Sequence, residues 1–353
     1  MTITQNEAEA SPGAPGAAVS ASASEKKYKM VALDLDGTLL NSNHDISDTS
    51  IAHLRYLHSR GFIVCIATGR SAFATSQIIY KLDLDYSYSS ASSDRNISSD
   101  SSSNSINGFP LVCTNGAKGL CIEKNLDANH DNVNDNTATT NPITDGRQRS
   151  TQLFHNPVPL ELTIKTLALA KSIGCVTNYY LNHDVYAQPT LDWHYEAIQR
   201  YANLTGVKFT YCKDDYSTAI QKGLSSKLLI LCKTEDIDSV YSQVSKELGD
   251  VAKVIRGSPP FFVEILHKDV CKGNGLEKMC DTLGVDLGEC ISFGDGHNDI
   301  EFIQMSGLGI AMKNAVDSLK GVADDITEYS NNDDGVVRML QQLEKSGKLH
   351  FQK

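Results

Sequence analysis

Five short apolar runs, Met30–Leu33, Phe62–Ala67, Leu111–Cys113, Cys290–Phe293 and Leu308–Met312, each stop at turn residues. Runs of that length, apolar on both sides, are the pattern of strands buried on both faces of a sheet. Helical periodicity lies between them: Leu276, Met279, Cys280 and Leu283 recur at i, i+3, i+4 and i+7 before Gly284, and Ile51, Leu54 and Leu57 lead to Gly61. Strand followed by helix, repeated, predicts an open parallel α/β sheet of the Rossmann-like kind.

Residues 151–266 follow a different pattern. A helix over Leu160, Ile164, Leu167, Lys171 and Gly174 precedes two strand runs, Val176–Leu181 and Asp184–Gln188, whose Asn182-His183 link is too short for a crossover. A second helix over Ile237, Val240, Tyr241, Val244 and Leu248 precedes Ala252–Ile255 and Phe261–Leu266, joined at Gly257-Ser258-Pro259-Pro260. Antiparallel hairpins with helices predict an α+β unit inserted in the α/β domain, and a chain of 353 residues is long enough for two cores.

Three segments are too poor in large apolar residues to offset the entropy of ordering them. They are the Ala/Ser/Gly/Pro-rich tail 1–26, the serine-rich stretch 87–107 and the Asn/Asp/Thr-rich stretch 125–150. The tail is expected to be disordered and the other two to be surface insertions. Asp127, Asn129 and Asp131 have calcium-loop spacing, but Asn132 and Ala138 replace the Gly and Glu that such a loop needs, so a solvated polar loop is expected.

A net charge of −11 argues against a general binder of nucleic acid or anionic membranes. No run of eighteen apolar residues exists, and the N-terminus lacks both an apolar signal core and Arg-rich transit character. The nine cysteines form no CxxC pair and sit mostly among apolar residues, which predicts reduced core residues in a soluble cytoplasmic protein.

The polar residues that carry chemistry cluster where the apolar runs stop. Ligands collect outside the carboxyl ends of strands in such sheets, and the first run leads into Asp34-Leu35-Asp36-Gly37-Thr38. Two carboxylates so close repel unless a cation or shared proton relieves them, although a lone D-x-D is more commonly a turn. The second run ends in Thr68-Gly69-Arg70, and another in Gly294-Asp295-Gly296-His297-Asn298-Asp299, a loop of hard oxygen donors suited to Mg²⁺ or, alternatively, an acidic turn with helix caps. Lys272 opens the Leu276 helix, where a cation is unfavourable at the positive helix end unless an anion sits beside it.

Taken together and in this order, the four segments resemble the haloacid-dehalogenase-like hydrolases, closest to the Cof-type branch with a large α+β cap. The resemblance covers about 27–345 without the polar insertions, and includes Thr114-Asn115-Gly116-Ala117 and Gly309–Ala315. It implies core segments 27–122 and 256–353 around a cap at 123–255, the cap extending up to about 266. It further implies an Asp34 nucleophile, Asp36 as general acid and base, and Mg²⁺ held by Asp34, Asp36, Asp295 and Asp299. Thr68, Lys272 and Asn298 would bind phosphate, and Gly69, Arg70, Asn115 and Gly116 would contact substrate. The expected activity is Mg²⁺-dependent hydrolysis of a small phosphorylated metabolite, of the sugar phosphate kind; a phosphomutase and a non-catalytic binding protein are the rivals. Asp36 is expected to have a raised pKa under a closed cap, and Trp193, Tyr195 and Tyr201 are expected either to pack within the cap or to line a leaving-group pocket.

Overall fold

In the computed structural model, which describes residues 27–89, 105–123, 149–181, 184–257 and 259–351, two sheets divide the chain. The larger has eight strands in the order Asp325–Ile326, Leu308–Ala311, Cys290–Gly294, Met30–Leu33, Ile63–Ala67, Phe109–Cys113, Lys118–Ile122 and Ser150–His155. The first six are parallel and the last two antiparallel, so the expected parallel sheet carries an antiparallel edge. Met30–Leu33 is at the centre, every residue buried, with Ile63–Ala67 on one side and Cys290–Gly294 on the other. The carboxyl ends of these neighbouring parallel strands therefore lie side by side.

The flanking helices form where the apolar spacing predicts them. Asp48–Ser59 is capped by the Ser47 hydroxyl, which accepts from the Ser50 N–H, and it buries Leu54 and Leu57. Lys272–Leu283 buries Leu276, Met279, Cys280 and Leu283, and Gly284 ends it in the left-handed conformation at φ 69°. One contiguous apolar cluster joins these helices to the sheet.

The second sheet has six strands in the order Phe209–Tyr211, Asp184–Ala187, Val176–Leu181, Leu228–Leu231, Phe262–His267 and Ala252–Arg256. Both expected hairpins are antiparallel pairs, and the helices Leu160–Ser172 and Ile237–Leu248 flank them. Sequence reasoning did not separate out Leu228–Leu231, because periodicity cannot tell a four-residue apolar run from part of a buried helix. Ser150–His155 belongs to the larger sheet and Phe262–His267 to the smaller.

The stretch 87–107 is not wholly a loop. Ser87–Ser89 pairs with Ser105–Asn107 as an antiparallel hairpin, Tyr88 is buried and Ile106 packs against the main core. Serine-rich composition conceals two residues that anchor the ends of the segment. The tail 1–26 and the Asp127, Asn129 and Asp131 spacing lie outside the described residues. All nine cysteines are unpaired and all but Cys212 are buried. Among the described residues no helix is long and apolar enough to cross a membrane.

Candidate active site

Asp34, Thr68 and Asp295 follow the carboxyl ends of three adjacent strands of the larger sheet, and Thr114-Asn115 follows a fourth. After Asp34 the chain makes a tight turn: the N–H of Thr38 donates to Leu35 O, and Leu39 to Asp34 O. Gly37 sits at φ +78°, and a Cβ there would lie 2.2 Å from Asp295 Oδ2. Only glycine combines that backbone with so close an approach.

Lys272 brings the separate loops together. Its ammonium, fully buried, donates to Asp34 Oδ1 at 2.5 Å and to Asp299 Oδ1 at 2.7 Å. The cation at the head of its helix thus has two carboxylates beside it, the partners that its unfavourable position required. Asp299 uses its other oxygen to accept from the backbone N–H groups of Asp295, at 3.0 Å, and Gly296, at 2.9 Å. Carboxylate oxygens of Asp34, Asp295 and Asp299 come within 4.8 Å of one another.

Three carboxylates against one ammonium leave uncompensated negative charge in a largely buried site. Burial, with Asp299 and Asp295 adding to it, pushes the Asp34 carboxyl up to about 8 although Lys272 opposes the shift. Burial and then Asp299 likewise raise Asp295 to about 6. For Lys272 burial disfavours the charge, but Asp299 and Asp34 outweigh it and raise its pKa. A set of hard oxygens with surplus negative charge fits a divalent cation of the Mg²⁺ kind.

The Asp36 carboxylate is not one of these three and has partners of its own. Arg70 grips it with two hydrogen bonds, Nε donating to Oδ2 at 2.7 Å and Nη2 to Oδ1, while His44 Nδ1 lies 3.2 Å from Oδ1. Burial raises its pKa, but Arg70 and His44 outweigh that and hold the carboxyl below its ordinary value. The expected raised pKa is therefore corrected for this state: the side chain is nearly half exposed and has a guanidinium partner.

Thr68 is buried, and its hydroxyl accepts from the Arg70 N–H at 3.1 Å. The next turn is tied to it, with Asn115 N–H donating to Thr68 O and Thr114 N–H to Arg70 O. Gly69 lies against the Asn115 side chain, and Gly116 packs on the Cys271 carbonyl that precedes Lys272. Asn298 Nδ2 donates to Asn115 Oδ1 at 3.1 Å. The structure thus gathers Asp34, Asp295, Asp299 and Lys272 into one cluster, and joins Asn298, Asn115, Gly69 and Thr68 through contacts in the adjoining loops.

Two charged residues that sequence reasoning passed over reach this site from the smaller sheet. Glu264 Oε2 accepts from Asn115 Nδ2 at 3.3 Å, and Lys227 Nζ donates to Glu264 Oε1 at 2.6 Å and lies 3.5 Å from Gly69 O. Their signal was available: each is a lone charge within or beside a buried apolar run, Lys227 before Leu228–Leu231 and Glu264 inside Phe262–His267. The aromatic stretch takes its packing role: Tyr201 is buried edge-on to Phe262 with its hydroxyl donated to by Tyr180, Trp193 packs on the same cluster, and Tyr195 is half exposed against Tyr211.

Comparison with known proteins agrees with this geometry. A family model described as haloacid dehalogenase-like hydrolase matches residues 31–118 and 143–340. The chain is 27% identical over 323 residues to a 5-amino-6-(5-phospho-D-ribitylamino)uracil phosphatase of Bacillus subtilis, covering 90% of this chain and 98% of that protein. A crystal structure from Thermotoga maritima superposes with a TM-score of 0.66 at 25% identity, over 89% of this chain and 97% of the other. A sugar phosphatase of subclass IIB superposes with a TM-score of 0.62 at 17% identity, over 90% and 99%. With these matches running through both sheets and every strand end described above, the chain belongs to the haloacid dehalogenase-like hydrolases, in their Cof-type branch, as a phosphoric monoester hydrolase.

Proposed function

We propose that the protein is a Mg²⁺-dependent phosphatase of small phosphorylated metabolites, of the sugar phosphate kind, that works through an aspartyl-phosphate on Asp34. The observation that carries this reading is the buried Lys272 ammonium between Asp34 and Asp299, with Asp295 beside them. The names of a ribitylamino-uracil phosphatase and a sugar phosphatase among its relatives support the substrate class.

Asp34, Asp295 and Asp299, with the backbone carbonyl of Asp36, would hold the Mg²⁺. When bound it neutralises the carboxylates and the phosphoryl oxygens. Asp34 then attacks phosphorus in line, forming its own O–P bond as the bond to the leaving oxygen breaks. Lys272, Thr68 and Asn298 donate to the phosphoryl oxygens as charge redistributes. Asp36, released from Arg70, gives a proton to the departing alcohol; in the second step it takes one from the water that attacks phosphorus and frees Asp34. The unit built on the smaller sheet is the lid, and we propose that its bounds follow sheet membership, from after His155 to His267, which moves the expected start from 123 and lies at the expected outer end of about 266.

The test is a phosphate-release screen with Mg²⁺ over sugar phosphates, the ribitylamino-uracil phosphate, nucleotides, pyridoxal phosphate and FMN, with mass analysis of Asp34 during turnover. The expected pair is free phosphate in solution and, after borohydride trapping during turnover, conversion of Asp34 to homoserine with a loss of mass, because hydride displaces phosphate from the acyl phosphate. Accumulation of an isomer without free phosphate identifies a mutase, and the absence of both products overturns the reading.

A further inference from the structure

Glu264, Asn115 and Asn298 form a chain of side chains from the lid to the phosphate loop: Asn115 Nδ2 donates to Glu264 Oε2 at 3.3 Å, and Asn298 Nδ2 donates to Asn115 Oδ1 at 3.1 Å. Glu264 and Asn115 are both buried. An amide side chain offers a donor on one end and an acceptor on the other, whereas a carboxylate only accepts. Facing Glu264, Asn115 must turn its NH₂ toward the lid and its carbonyl toward Asn298. Asn298 must in turn present its own NH₂, one N–H of which goes to Asn115, leaving the second for an oxygen in the cleft.

We infer that Glu264 is a positioning residue that, acting through Asn115, fixes which end of the Asn298 amide faces the phosphoryl group. The inference rests on the proposed phosphatase reading and on Asn298 as a phosphate contact. Lys227 has a supporting part. Its ammonium pairs with Glu264 at 2.6 Å, lies 3.5 Å from Gly69 O and 5.1 Å from the centre of the Tyr180 ring, and so holds the carboxylate against the core. By strand alternation Lys227 and Glu264 share one face of the smaller sheet, since Leu229 is the register partner of Glu264. Both belong to the lid, while Asn115 and Asn298 belong to the loops at the strand ends. A phosphate donor is therefore correctly turned only while the lid is docked, which couples closure to phosphoryl binding without any direct contact between lid and phosphate.

The test uses Glu264→Gln, whose amide has no fixed polarity, and Asn115→Gly, which deletes the link at a position with φ 55° that glycine adopts without strain. The readouts are kcat and KM on an aryl and an alkyl phosphate, and the affinity for inorganic phosphate in the presence of Mg²⁺. Each variant should lower kcat/KM by roughly 10-fold or more, alike on both substrates, because the effect acts on a phosphoryl oxygen rather than the leaving group. Phosphate affinity should fall in parallel, and the double variant should be no worse than the poorer single variant. Multiplying effects, or an Asn115→Gly enzyme within threefold of wild type, would overturn the relay. Should Glu264→Gln prove unstable in a thermal melt, Asn115→Gly decides alone, since it leaves the Lys227–Glu264 pair intact. A wild type that binds phosphate but releases none from any ester contradicts the phosphatase reading instead, and the affinity series then judges the relay.

Discussion

The ammonium of Lys272 and the carboxylate of Asp34 are 2.5 Å apart, although 238 residues separate them in the chain. The contact arises because the Lys272–Leu283 helix starts beside the ends of the central strands, and it fixes the carboxylate of the proposed nucleophile there.

Asp34→Asn should abolish turnover, by on the order of 10³-fold or more, since the amide keeps the shape and loses the nucleophile. The fold should remain, and no adduct should form on residue 34. Activity within tenfold of wild type in a phosphate-release assay would remove Asp34 from the mechanism.

Asp36→Asn should cost about 10²–10⁴-fold, and more on an alkyl phosphate than on an activated aryl phosphate, which leaves without a proton. Releasing the carboxylate should act in the opposite sense on its acidity. Arg70→Gln is expected to move the pKa of Asp36 upward, because the guanidinium is what holds it down. The pH–rate profile of that variant on an alkyl phosphate should extend to higher pH on its basic limb, at lower overall rate; an unshifted profile would mean that Asp36 is not the acid.

The stability of the metal-free protein should fall as pH rises above neutrality. A carboxyl whose pKa is higher folded than unfolded keeps its proton in the native state, so its contribution is complete below its ordinary value of 3.8 and lost through the folded one. For Asp295 the loss is complete by about pH 6 and for Asp34 it continues to about pH 8. Below about 6.5 the half-buried His155, depressed to about 4, and His53, also depressed, act in the opposite direction, and above pH 8 the buried thiols of Cys65, Cys121 and Cys290, all raised by burial, add a loss of their own, so the clean window is pH 7 to 8. Melting temperatures in chelator should decline from pH 7 to 8, Mg²⁺ should restore more at pH 8 than at pH 7 because fewer protons oppose it, and Asp34→Asn should flatten the slope. A slope that survives Asp34→Asn would place its origin elsewhere.

Gly37→Ala should weaken Mg²⁺ binding. A left-handed backbone costs a non-glycine residue roughly 1–2 kcal/mol, and the added methyl would meet Asp295 Oδ2 at 2.2 Å. The check is a Mg²⁺ titration of the melting temperature, in which the midpoint should rise at least tenfold while the melting temperature in chelator falls by a few degrees. Equal midpoints would show that Asp295 has room to give way without losing the ion.

Replacing residues 90–104 with a few Gly/Ser residues should hardly change stability, since loop length enters closure entropy only logarithmically. Tyr88→Ala should cost about 2–4 kcal/mol, because that ring is buried in the main core and stacks on Tyr86. Thermal melts of the two variants side by side test the distinction between the hairpin base and the segment it closes.

The legible parts of the sequence were those where one physical signal acts alone. Met30–Leu33 reads as a central strand because burial on both faces leaves no polar residue in it, and Gly284 reads as a helix end because the left-handed turn needs it. The Asp34, Thr68, Lys272 and Asp295 segments stand out because polar residues follow apolar runs at strand ends. What escaped depended on partners distant in sequence. Arg70 depresses Asp36 across 34 positions, and Glu264 reaches Asn115 across 149, so neither electrostatic effect could be read from local pattern. Tyr88 and Ile106 were hidden by serine neighbours, because composition averages away two anchoring residues.

The chain leaves the larger sheet after His155, and re-enters the core at Lys272, only five residues past the strand that carries Glu264. Everything proposed to break or make a bond to phosphorus lies outside that interval, and everything the lid contributes lies inside it. Most of one continuous stretch of gene can therefore be rewritten to change what is recognised, provided that Glu264 and Lys227 are kept. A change of substrate in such an arrangement leaves the strand ends untouched.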